Sequence, residues 1–166
     1  MRLRVGAAAS AQTELQQAIT ALGNNGFAGV YDANDGIASG AITAMKDAGI
    51  PPASRPTTGQ DAELDGIQRI LAGQQYMTVY KAVKTEAEDA ARLAIPLAKH
   101  QPLPANLVNQ HTTSGNTSVP SVILTPVAVT KANVASTVIK DGFWTPAQIC
   151  TRAFASACKQ AGIPGA

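Results

Sequence analysis

Apolar positions along the chain switch between helical spacing and short continuous runs, and the switches mark the elements. Arg2 to Gly6 reads as a short strand, with Leu3 and Val5 as its apolar positions. Ser10 suits a helix cap, and Leu15, Ile19 and Leu22 then recur at i, i+4 and i+7 on one face. Gly23-Asn24-Asn25-Gly26 ends that helix. Phe27 to Tyr31 is a compact apolar strand with the polar turn Asp32-Ala33-Asn34-Asp35-Gly36 at its carboxyl end. A second helix follows, with Ile37, Ala41, Met45 and Ala48 on one side and Gly49 at its end.

Pro51 to Thr58 is rich in Pro and Thr, a loop running into a short strand. Gly59-Gln60-Asp61 leads into a helix with Leu64, Ile67, Ile70 and Leu71 inward, stopped by Gly73. Met77 to Tyr80 is a strand. An Ala-rich helix spans Thr85 to Lys99 with Ala90, Leu93 and Leu97 on one stripe, kinked or shortened by Pro96. Gln101 to Val119 is polar and reads as loop. Val122 to Val129 reads as a strand interrupted by Pro126, placing it at an edge or a crossing point. Thr145-Pro146 opens a final helix running to about Gln160.

Strands alternating with helices predict an α/β fold, a parallel sheet with covering helices. Such sheets bind ligands beyond the carboxyl ends of their strands. Three polar groups fall there: Asp32 to Asp35, Gln60-Asp61, and Lys81. Asn34 is both donor and acceptor, Asp61 accepts and Lys81 donates, a set that matches the hydroxyls of a polyol. The same residues also suit ordinary caps and loops.

Composition narrows the choice. Thirteen basic and eleven acidic residues leave a net +2, with no basic run to track phosphates, so no nucleic-acid partner is expected. No apolar stretch reaches the roughly eighteen residues of a membrane span. Met1 to Ser10 is a poor export signal, so either the protein is intracellular or a signal lies outside this sequence. Cys150 and Cys158 on one continuous helix would stand about 12 Å apart, too far for a bridge, whereas a break between them would close the gap. Buried thiols and a disulfide both remain open.

Enzyme chemistry finds little support. His100 and His111 lack partners at metal-ligand spacing, and there is no nucleophile elbow, phosphate-binding glycine loop or Cys–His signature. Asp32 and Asp35 suit a carboxylate pair or a phosphoacceptor, but helix capping explains them as well. Phe143 and Trp144 read as packing residues. No cofactor and no metal are expected.

Several segments nevertheless resemble one family. Tyr31-Asp32-Ala33-Asn34-Asp35-Gly36-Ile37-Ala38-Ser39-Gly40-Ala41-Ile42 resembles the "ND…GGAI" segment of D-xylose-type periplasmic sugar receptors. Gly59-Gln60-Asp61-Ala62-Glu63-Leu64 with Gly66-Ile67-Gln68-Arg69-Ile70 is similar to their "GQDAEL…GI.RI" segment. Tyr76 to Lys81 resembles "MTVYK", and Val119-Pro120-Ser121, Leu124-Thr125-Pro126 and Val138 to Gly142 resemble "VPS..LTP…VIKDG".

The resemblance implies one lobe of a type I periplasmic-binding-protein fold, a three-layer, flavodoxin-like parallel sheet flanked by helices. It implies a receptor, not an enzyme, that closes on a monosaccharide between two lobes and presents the closed form to ABC permease subunits. Location would be periplasmic or extracellular. Sugar contacts of this lobe and its hinge would fall on Asn34, Asp61 and Lys81.

Two departures modify that picture. The family's receptors are about twice this length, so a whole first lobe and its contacts are missing. Family members usually carry a tryptophan before the first helix of this half, where this chain reads Gly6-Ala7-Ala8-Ala9-Ser10. In the family topology residues 82–121 cross to the first lobe, so the helix from Thr85 to Lys99 is expected to fold back on its own sheet or be buried in a homodimer. A half-receptor that dimerises, or pairs with a separate first lobe without binding sugar, is the second reading. A sugar-responsive repressor would need a helix-turn-helix that the chain lacks, and a flavodoxin-like enzyme would carry flavin.

Overall fold

The computed structural model describes residues 8–163, and the strand expected at Arg2 to Gly6 lies outside them. The chain forms two compact units. Of the described residues, one comprises 8–80 with 127–163, and the other 81–126.

In the first unit, helices α1 (Ala8–Leu22) and α2 (Asp35–Asp47) pack together. Ile19, Ile42, Met45 and Ile50 form a buried cluster, flanked by Leu15, Phe27 and Ala48. Close approach needs Gly40: a Cβ there would lie 2.0 Å from the carbonyl oxygen of Ala8. Leu22, expected on the inward face of α1, is exposed. Helix α2 buries more than one stripe, with Ala38, Ala41, Ile42, Ala44 and Met45 all inside. Such a helix is covered on two sides. Helix α3 (Leu64–Leu71) buries Ile67, Ile70 and Leu71, as its spacing predicts.

The sheet of this unit is small. Val30 bridges Thr57 in parallel, Gln60 bridges Val79 in parallel, and strand β1 (Thr78–Tyr80) continues the arrangement. The expected strand from Phe27 to Tyr31 is thereby reduced to one bridge. Gly29 lies against Pro56, where a Cβ would sit 2.9 Å from the Pro56 oxygen, and Pro56 has no N–H to extend the ladder.

The last strand corrects the sequence reading twice. Where Val122 to Val129 was expected, only Val127–Val129 is extended, and it pairs antiparallel with β1, Tyr80 opposite Val127. A single turn with i to i+5 hydrogen bonds at Ala135–Ile139, which the sequence pattern does not announce, then buries Val138. The final helix is broken in two, Pro146–Ile149 and Ala155–Gln160. Thr145 caps the first piece in a reciprocal capping box with Gln148. The break brings Cys150 and Cys158 to a Cα separation of 5.8 Å, and they form a disulfide.

The second unit holds helix α4 (Val83–Ala98) and a hairpin of β2 (Gln110–Ser114) and β3 (Thr117–Ser121). The hairpin corrects the reading of Gln101 to Val119 as loop. Gly115-Asn116 forms its two-residue turn, with Gly115 at φ +58. Most of its residues are exposed, so no apolar alternation gave it away. Pro96 lies within α4, close enough to its end that the helix runs on to Ala98.

Candidate functional site

The polar turn after Val30 is organised around one buried carboxylate, Asp35. Its Oδ1 accepts from Gln75 Nε2 at 2.7 Å, and its Oδ2 accepts from Thr78 Oγ1 at 2.9 Å and from the Glu63 backbone N–H at 2.8 Å. The Asp35 N–H donates to Gln60 O at 3.0 Å, and Arg69 donates to the Asp35 carbonyl at 2.8 Å. Arg69 also bonds Gln75 and pairs with Asp65. Burial raises the Asp35 pKa, opposed by the bonds from Gln75, Thr78 and Glu63 and by the Arg69 charge.

This network ties the start of α2 to α3, β1 and the Gly59–Glu63 turn. It also answers the reading of Asp32 and Asp35 as a carboxylate pair, because both Asp35 oxygens serve the fold. Gln75, Thr78 and Arg69 were not singled out by motif. Their signal lies in Gly59 and Gly66, where a Cβ would lie 2.1 and 2.5 Å from the Asp35 carboxylate oxygens.

Asn34 caps α2, its Oδ1 accepting the Ile37 N–H at 2.8 Å. The cap engages one lone pair of the Asn34 amide oxygen. Asp61 follows the Gln60–Val79 bridge, its N–H donating to Val79 O at 2.9 Å. The bond from Asp35 to Gln60 therefore makes the Asn34 and Asp61 turns neighbours.

Asp61 and Ala62 have φ values of 91 and 51, a left-handed pair without glycine. Such a backbone costs on the order of 1–3 kcal/mol per residue and persists only where surroundings hold it. Here Thr78 Oγ1 accepts the Ala62 N–H at 3.2 Å, and Trp144 Nε1 donates to the Ala62 carbonyl at 2.7 Å. Trp144 packs edge-on against Phe143, whose ring lies 5.1 Å from that of Tyr80. The two aromatics are packing residues, as expected, and Trp144 also holds the turn that presents Asp61.

Lys81 directly follows β1 and opens the second unit. There it lines an open cleft of about 250 Å³ with Ala82, Glu86 and residues 122–126. Each expected contact thus follows the carboxyl end of an extended segment.

Asp32 is 5% exposed, and its Oδ2 has no hydrogen-bond partner, while its backbone N–H donates to Thr58 Oγ1. Burial pushes its pKa up to about 6. His100 and His111 are exposed, and no group of three or more His, Cys, Asp or Glu able to hold a metal occurs among the described residues. No helix among these residues is long and apolar enough to cross a membrane.

Comparison with known proteins gives this geometry its context. The D-xylose-binding periplasmic protein of Haemophilus influenzae is 42% identical over 135 residues, covering 81% of this chain and 39% of that protein. Its Escherichia coli counterpart is 43% identical over 129 residues, covering 78% of this chain and 38% of that protein. The chain therefore spans about two fifths of the length of these relatives. Among solved structures, a carbohydrate transporter solute binding protein from Chloroflexus aurantiacus, in complex with D-glucose, superposes with a TM-score of 0.70. It is 28% identical and covers 85% of this chain and 41% of that one. Its likeness gives the chain the type I periplasmic-binding-protein fold, as a single α/β lobe. Residues 6–102 match the family described as periplasmic binding protein domain, and the chain belongs to that family, with D-xylose-binding periplasmic proteins among its relatives.

Proposed function

We propose that this chain supplies the C-terminal lobe of a two-lobed receptor for a D-xylose-like monosaccharide, serving an ABC importer in the periplasm or outside the cell. The observation that carries the reading is the clamped left-handed turn at Asp61, set beside the Asn34 cap by the Asp35 network. Two side chains hold the backbone of Ala62 in this turn, which keeps Asp61 beside the Asn34 cap, and a carboxylate in that position suits vicinal hydroxyls. Asn34 donates, Asp61 accepts, and Lys81 adds a donor from the start of the second unit.

The division of the chain at 80/81 and 126/127 supports assigning the segment at 82–121 to the crossing toward a first lobe. In this reading no chemistry is done on the sugar. The lobe binds, and permease subunits read the closed receptor. Partners are then a monosaccharide, a first lobe and the permease.

Titration calorimetry of D-xylose into the purified chain tests the reading. Saturable heat, weakened at least about tenfold in Asp61→Asn with the melting temperature unchanged, is the expected result. Asparagine tolerates left-handed φ, so this variant removes the charge and not the turn. Binding that is indifferent to Asp61, or no heat with xylose, ribose, glucose or arabinose, rejects it for this chain.

A further inference from the structure

The left-handed backbone at Asp61 and Ala62 is held from two sides, and the two holders differ in what else they do. Thr78 Oγ1 accepts the Ala62 N–H and also donates to Asp35 Oδ2, so its loss would disturb the buried hub as well. Trp144 has a single donor, its Nε1–H, and gives it to the Ala62 carbonyl at 2.7 Å. The indole bond therefore serves the turn and not the hub.

Trp144 reaches Ala62 from 82 residues further along the chain, and the segment that carries it is anchored without the indole N–H. The backbone N–H groups of Phe143 and Trp144 both donate to the carbonyl of the buried Val138, at 2.9 and 3.2 Å. Gly142, at φ +68, makes the turn that this return requires. The Phe143 ring packs against Tyr80. Beyond Trp144, Thr145 caps the next helix, and Gln68 Nε2 donates to the Ile149 carbonyl at 3.1 Å, tying that helix to α3. Deleting the indole N–H thus leaves the segment docked and releases one side of a strained backbone.

We propose that Trp144 is a positioning residue of the ligand site. Acting through the Ala62 carbonyl, it keeps the Asp61 turn left-handed, and so it sets affinity for the sugar rather than stability of the fold. The proposal rests on the sugar reading above, and its test separates the two.

Trp144→Phe keeps an aromatic ring beside Phe143 and removes the donor. Xylose calorimetry on the full chain should show affinity weakened about three- to tenfold, the scale of one lost hydrogen bond, with the melting temperature unchanged. A merely structural role gives the reverse, a lower melting temperature with affinity kept, and that result overturns the proposal. Amide hydrogen exchange reads the turn without ligand: the Ala62 and Glu63 N–H groups flank the held carbonyl and should exchange faster in Trp144→Phe. Unchanged exchange there counts against the clamp and overturns it. Trp144 is the single tryptophan, so the unsubstituted chain gives one indole N–H resonance, expected to be protected from solvent. A freely exchanging indole overturns the proposal even where Trp144→Phe fails to fold. No heat from the unsubstituted chain rejects the sugar reading and this proposal with it, whereas equal heat and affinity in Trp144→Phe reject this proposal alone.

Discussion

Asp35 and Asp32 stand three residues apart and illustrate two fates of a buried carboxylate. Asp35 is satisfied by a side-chain amide, a hydroxyl and a backbone N–H, whereas Asp32 keeps an oxygen with no partner. An unpaired buried charge costs free energy that a neutral group does not. With its folded pKa near 6 above an unfolded value of 3.8, Asp32 binds its proton more tightly in the native state. Between those values the native state holds more protons than the unfolded chain. Stability therefore falls as pH rises through that window and stays low above it. Asp32→Asn should be worth about 2–3 kcal/mol at pH 8 and little at pH 3.5, read from urea midpoints at the two values. An equal effect at both would contradict the assignment.

Asp35 is tested through its neighbour. Gly66→Ala drives a Cβ to 2.5 Å from Asp35 Oδ2, so it should destabilise the chain by about 1–3 kcal/mol. Gly36→Ala, whose Cβ meets nothing closer than 3.5 Å, should cost nothing measurable. Thermal melts of both variants decide the point. That Asn34, Asp61 and Lys81 follow the ends of extended segments was legible in the sequence. The meeting of Gln75, Thr78 and Arg69 at Asp35 was not, since Asp35 lies 34 to 43 residues away from them along the chain.

Among the elements, the helices with one clear apolar stripe and a marked end were readable: α1, α2 and α3 fall within a few residues of their expected bounds. Elements whose formation depends on a partner were not. The hairpin of β2 and β3 is built from exposed Thr and Ser, so its stability lies in cross-strand bonds and in the Gly115 turn. The final helix had a readable start at Thr145-Pro146, yet it breaks at Cys150, whose backbone leaves the helical region at ψ +51. The disulfide requires the break, because the two sulfurs meet only off a continuous helix. Closing so short a loop should stabilise the fold by about 2.5 kcal/mol in the chain-entropy account, so added dithiothreitol should lower the urea midpoint accordingly. An unchanged midpoint, with the thiols confirmed free, would show the bridge to be neutral.

Across the whole molecule, the two units differ in how their apolar surface is treated. The first contains nearly all of the buried core, and the second buries Leu107 alone among its large apolar side chains. An element order that places one extended chain entry at Tyr80 and one exit at Val127, paired side by side, leaves the second unit joined through two adjacent strands. The same division separates Asn34 and Asp61 from Lys81.

The sequence by itself determined the α/β grammar, most helix positions, the strand-end polar groups and the family words that carry them. These are local properties, fixed by periodicity, capping and short motifs. Only the tertiary structure decided that Asp35 is a buried hub, that Asp61 sits in a clamped left-handed turn, that Val127–Val129 runs antiparallel to β1 and that Cys150 meets Cys158. Each depends on groups brought together from far apart in the chain, where hydrogen bonds and burial, rather than local preference, set the backbone.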